Sequence, residues 1–171
     1  MMIVAPKKNS QIIEANDQSS SNHLKLINAT IETIAARGLA DTTIAHVAKE
    51  AGVSQGYANF KFKSKENLLL SSLQYLSDEY KSSWQSIFEE KNLDPIDRIL
   101  RILDNDFSDK IANRNKISVW VAFYSEVKFR PSYLNICQHQ DEIYSNQMEK
   151  LIKELNQLTK QTIFTPKEIS E

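Results

Sequence analysis

The chain has 171 residues, 41% hydrophobic and 25% charged, an ordinary balance for a soluble globular domain, and no apolar run approaches the ~18 residues of a membrane span. Its single cysteine, Cys137, excludes an internal disulfide scaffold and suits a reducing, cytoplasmic setting. Net charge is −1, yet residues 1–65 hold eight Lys/Arg against five Asp/Glu and residues 66–171 thirteen against seventeen, so a basic N-terminal third precedes an acidic body.

Three glycines and four prolines are few for a turn-rich β fold and predict an all-α chain. Residues 1–20 are polar and read as a disordered arm. Leu24, Ile27, Ile31 and Ile34 then form one stripe of an amphipathic helix, which Arg37-Gly38 ends. Asp41-Thr42-Thr43 offers N-cap side chains to a second helix carrying Ile44, Val47, Ala48 and Ala51. Gly52-Val53-Ser54 breaks it, and Ser54 caps a short third helix through Tyr57 and Asn59 to about Phe60.

After a further break at Phe62-Lys63-Ser64, the row Leu69, Leu73, Leu76, Tyr80, Trp84 and Ile87 predicts a long helix of about six turns. Asp94-Pro95 caps the next, with Ile96, Ile99, Leu100, Leu103 and Phe107 as its stripe. The apolar run Ile117 to Val127 reads as a helix buried on most sides. Pro131 starts a helix through Leu134, Cys137, Met148, Leu151, Ile152 and Leu155. Thr165-Pro166-Lys167-Glu168 then announces another just before the chain stops. The divisions are an arm at 1–20, a DNA-binding domain at 21–66 and a helical regulatory domain at 67–171.

The unit from Thr43 to Phe60 carries the functional signal. Two short helices joined through a glycine, with small Ala48 and Ala51 on the inner face of the first, describe a helix-turn-helix. Such a second helix fits the DNA major groove, and Lys61, Lys63 and Lys65 follow at once to meet phosphates, with Phe62 as an anchor between them. Without the surrounding caps and glycine turn, the lysines would read as a solvated face.

Other chemistry is thin. His23, His46 and His139 lie far apart and at no metal-ligand spacing, and the chain holds no Gly-rich phosphate loop or nucleophile elbow. Cys137 reads as a small core residue, and Asp104, Asp106 and Asp109 as a solvated helix end. No catalytic constellation, cofactor or metal is expected.

The segment TTIAHVAKEAGVSQGYANFKFKSKENLL resembles the DNA-binding signature of TetR-type transcriptional repressors over about residues 24–76. That resemblance implies that Gln55, Gly56, Tyr57 and Asn59 face base edges and backbone, and that Thr43 and Lys65 contact phosphate. The chain departs from the pattern at Phe60-Lys61 and at Asn22-His23, where the family carries other residues. The body segment KISVWVAFYSEVKFRPSYL is similar to the choline-responsive BetI-type repressors. In that reading Trp84, Trp120, Phe123 and Tyr124 wall a pocket for a small-molecule effector such as choline, with Glu126 or Asp106 adding charge.

The resemblance implies an N-terminal three-helix DNA-binding domain joined by a long helix to a helical regulatory domain. It further implies a palindromic double-stranded operator released on effector binding, and a homodimer formed through two C-terminal helices. Against that pattern the chain is expected to stop two helices short. An apolar stripe along the 133–158 helix and the Leu76/Trp84 helix should then be exposed, with weak self-association. The alternative is a helical interaction protein, or a non-functional truncated regulator, without a DNA role.

Overall fold

The computed structural model describes the backbone of residues 8–159 and side chains from Ser20 onward. Among these residues it forms seven α-helices: α1 Lys8–Asp41, α2 Ile44–Glu50, α3 Gln55–Phe62, α4 Lys65–Glu89, α5 Pro95–Asp106, α6 Arg114–Glu126 and α7 Pro131–Thr159. The helix expected after Thr165 lies outside the described residues. No helix among them is long and apolar enough to cross a membrane. The chain divides into two compact units, with the boundary inside α4 between Ser72 and Leu73, six residues beyond the division expected from the sequence. Residues 8–20, expected as a disordered arm, are helical in backbone and continuous with α1.

In the first unit the chain kinks at Gly38, whose φ of 79° and ψ of 169° interrupt α1 where the sequence places the helix end. Leu26, Ile27, Ile31 and Ile34 are buried. Leu24, expected in that stripe, is instead exposed, because the buried face centres on Leu26, Ile27 and Thr30 and leaves Leu24 beyond its edge. Buried Thr30 and Thr33 donate their hydroxyls to the carbonyls of Leu26 and Ala29, at 2.7 and 2.6 Å, so neither leaves a buried donor unmade.

The second unit packs around Trp84, Phe88, Ile102 and Leu151, from α4, α5 and α7. Trp84 meets Phe88 and Tyr144 edge-on, at centroid separations of 5.4 and 5.5 Å, a geometry the ring quadrupoles favour. Buried Arg98 donates to the Phe88 carbonyl at 3.2 Å and pairs with Glu154, so its charge is not orphaned.

Three expectations about faces are corrected here. Leu76 and Trp84 are 1% exposed and Tyr133, Cys137, Leu151, Ile152 and Leu155 on α7 are buried, so no continuous bare stripe runs along α4 and α7, although Leu134 and Leu158 on α7 are exposed. The buried side chains supply core, as the packing of Trp84 with Ile102 and Leu151 shows. The apolar row Ile96, Leu100, Leu103 and Phe107 of α5 is the exposed one, while Ile102 and Arg98 turn inward. Helix α6 is not buried on most sides: Val119 and Phe123, one turn apart, face the core, and Ile117, Val121 and Tyr124 are exposed.

Candidate nucleic-acid interface and body cavity

Two caps and one glycine set the angle between α2 and α3. The Thr43 hydroxyl oxygen accepts from the His46 amide at 3.1 Å, and the Ser54 hydroxyl oxygen accepts from the Tyr57 amide at 3.1 Å. Each satisfies one of the free donors at a helix start. Between them the α2 end is closed by paired bonds, Gly52 amide to Lys49 carbonyl at 3.2 Å and Val53 amide to Ala48 carbonyl at 3.0 Å. That pair of hydrogen bonds requires a left-handed residue, which Gly52 provides at φ 65°.

Helix α3 buries Ala58 and Phe62, and the opposite surface stays in solvent. Gln55, Gly56, Asn59, Lys61 and Lys63 are all exposed. Phe62 is held from inside by the His23 ring, stacked at 5.1 Å and 21°, and from the backbone by Asn67, whose amide donates to the Phe62 carbonyl at 3.0 Å. Burial, and after it the charge of Lys61, lower the His23 pKa from 6.5.

Two sequence candidates lie differently from the rest. Tyr57 is half-buried, its hydroxyl shielded and without a hydrogen-bond partner among the described residues. Lys65 is half-buried, and its ammonium donates to the Ala40 carbonyl at 2.7 Å. Thr43 is exposed at the start of α2. Phe60, which the sequence marks as a departure from the family pattern but not as a site residue, is 81% exposed on α3. The signal was present: Phe60 lies two residues from both Ala58 and Phe62, about 200° around a helix from each.

The body holds a cavity of 260 Å³ lined by Tyr80, Asp106, Trp120, Tyr124, Gln140 and Asp141 among others, a little under the ~300–1,000 Å³ usual for drug-sized ligands. Trp120 and Tyr124 were anticipated there. Trp84 and Phe123 are fully buried and do not line it. Tyr80, one turn before Trp84, was missed, although the same helical row contains it. Asp106, expected as part of a solvated end, turns toward the cavity and accepts from the Tyr144 hydroxyl at 2.7 Å. The Tyr124 hydroxyl donates to both Asp141 oxygens, at 3.0 and 2.9 Å.

Burial raises the pKa of Tyr80, Tyr124 and Tyr144, and carboxylate neighbours add to the shift, so all three remain neutral donors. Burial, then the Asp141 charge, pushes the Cys137 thiol up to about 11, which keeps it protonated and unreactive at neutral pH. Among the described residues no Lys or Arg lines the cavity. An aromatic wall with two carboxylates and no lysine or arginine is complementary to an organic cation. Among the described residues no group of His, Cys, Asp and Glu is placed to hold a metal ion.

Comparison with known proteins agrees with this geometry. Residues 26–71 match the family described as bacterial regulatory proteins, tetR family. The HTH-type transcriptional regulator BetI of Stenotrophomonas maltophilia is 31% identical over 123 residues, covering 71% of this chain and 63% of the relative. BetI 1 of Chromohalobacter salexigens is 34% identical over 123 residues, covering 71% and 61%. The chain thus spans less than two thirds of either relative's length. Among solved structures, a TetR transcription regulator from Haloarcula marismortui superposes with TM-score 0.76 at 20% identity, covering 88% of this chain and 79% of that one. A transcriptional regulator from Saccharomonospora viridis, solved in complex with choline, gives 0.70 at 19% identity, covering 79% and 70%.

Proposed function

We propose that the chain, whose residues 26–71 match the tetR family of bacterial regulatory proteins, is a regulator of that family that binds DNA, not an enzyme. The observation that carries the reading is the division of α3: Ala58 and Phe62 inside, Gln55, Gly56, Asn59 and Lys61 outside. An isolated helix of eight residues would be marginal in water. Held across α2 by the Gly52 turn, it keeps one polar face free for base edges, with cations at its end for phosphates. Two copies, with readers one turn of DNA apart at ~34–36 Å, would occupy a palindromic operator.

The cavity favours a cationic effector, a small quaternary ammonium such as choline. Trp120, Tyr124 and Tyr80 supply ring faces, and Asp106 and Asp141 supply negative charge. A desolvated contact of that kind is worth about 2 kcal/mol. Occupancy of the cavity would shift the population between DNA-competent and incompetent arrangements. The test is to enrich a duplex from random sequence with the full chain, then titrate the complex with choline. Enrichment of an inverted repeat and its release by choline support both halves of the reading. Enrichment without release removes the effector, and no enrichment removes the regulator.

A further inference from the structure

Phe60 and Gly56 sit four residues apart on α3, so one lies directly above the other on the same face. That face is the one turned furthest from Ala58 and Phe62, and Phe60 is 81% exposed on it. Neither residue serves the folded domain. An exposed aromatic ring keeps its apolar surface in water, and a glycine inside a helix is less favourable than alanine. Gly56 has no compensating need: its φ is not positive, and a Cβ built on it would meet nothing within 4 Å. Two residues costly to the isolated unit thus adjoin at the centre of its outward surface.

The geometry points to their joint use. We infer that Phe60, one turn from the Cβ-free surface of Gly56, forms a shallow apolar contact that reads the C5-methyl group of a thymine in the major groove. A Cβ built on Gly56 would meet nothing within 4 Å, so the Phe60 ring, one turn further along the same face, leaves the Gly56 surface open. The missing Cβ lets a base edge come close to the helix backbone there. In the major groove only thymine, among the four bases, presents a methyl group, so an apolar contact at this point discriminates sequence. Gln55 and Asn59 border the patch and supply hydrogen-bonding groups to adjacent base edges, while Lys61 and Lys63 meet phosphates.

The inference rests on the DNA-binding reading above, and the experiment separates the two. The full chain is used to enrich a duplex from random sequence, and each thymine of that duplex is replaced in turn by deoxyuridine, which lacks only the methyl group. With the native chain, one thymine in each half-site should lose about fourfold in affinity on replacement, the transfer free energy of one methyl group. The Phe60→Ala chain should bind the thymine and deoxyuridine duplexes equally at that position, and Phe60→Leu should keep part of the difference. Because Phe60 is exposed, its removal leaves the fold intact, which thermal unfolding checks. Equal responses of native and Phe60→Ala chains at every thymine would overturn this inference alone. Failure to enrich any duplex would overturn the DNA-binding reading, and this inference with it.

Discussion

The ammonium of Lys65 donates to the backbone carbonyl of Ala40 at 2.7 Å, joining the first residue of α4 to the last turn of α1 across 25 residues of sequence. A lysine that the family resemblance assigns to phosphate therefore also ties the start of α4 to the end of α1 within the first unit. Lys65→Met should lower the unfolding free energy by about 1 kcal/mol, the net worth of one hydrogen bond, as well as weakening DNA binding. Denaturant titration checks the first effect. An unchanged midpoint would show that the Ala40 bond contributes nothing in solution.

Lys63 closes α3 at φ 64°, the left-handed region, and is the one non-glycine residue there among those described. Side chains pay about 1–2 kcal/mol for that conformation, more when β-branched. Lys63→Val should destabilise the chain by about 1–2 kcal/mol, and Lys63→Gly should be neutral to mildly stabilising, since relief of strain offsets the extra freedom of glycine when unfolded. Thermal melts of the two variants should fall in that order around the native value.

His23 stacks on Phe62 with its Nδ1 buried and lacking a partner among the described residues, and its pKa lies below 6.5 in the fold. The unfolded chain therefore binds the proton more readily, so the stability this site contributes is present above pH 6.5 and declines as pH falls below it. Unfolding free energy measured between pH 7.5 and 5 should fall more steeply for the native chain than for His23→Phe. Parallel curves would remove His23 as the cause.

Choline should raise the melting temperature by mass action, and its uncharged isostere 3,3-dimethylbutanol should do so far less. Trp120→Ala should weaken choline binding by roughly three- to thirtyfold, the range of a cation–π contact, and Asp141→Asn should weaken it by removing a negative charge from the wall. Trp84→Ala should act mainly on stability, by about 3–5 kcal/mol, because its ring is core. Calorimetry on the three variants checks this. A Trp84 variant that folds normally yet cannot bind choline would contradict the assignment of the cavity.

The parts of the molecule readable beforehand are those decided within a few residues. Thr43 and Ser54 cap whatever helix follows them, and Gly52 admits the one backbone conformation that the α2–α3 turn needs. What a helical face packs against is decided by residues far along the chain. The row through Tyr80 and Trp84 was visible as a face, but only the approach of α5 and α7 separates them, placing Trp84 in the core and Tyr80 at the cavity. The apolar residues of α6 misled for the same reason: composition counts Val121 and Ile117 equally with Val119, while packing uses only one side. Phe60 was passed over as a site residue because an exposed aromatic carries meaning only once the opposite face is known to be filled.

The most direct measurement is the salt dependence of binding to duplex DNA, native chain against Lys61→Ala/Lys63→Ala. Each phosphate contact removed should make the slope of log K against log salt shallower by about 0.9, so the double variant should lose roughly two units per copy and bind all duplexes more weakly. An identical slope and affinity for the two proteins would contradict the placement of the α3 face on DNA.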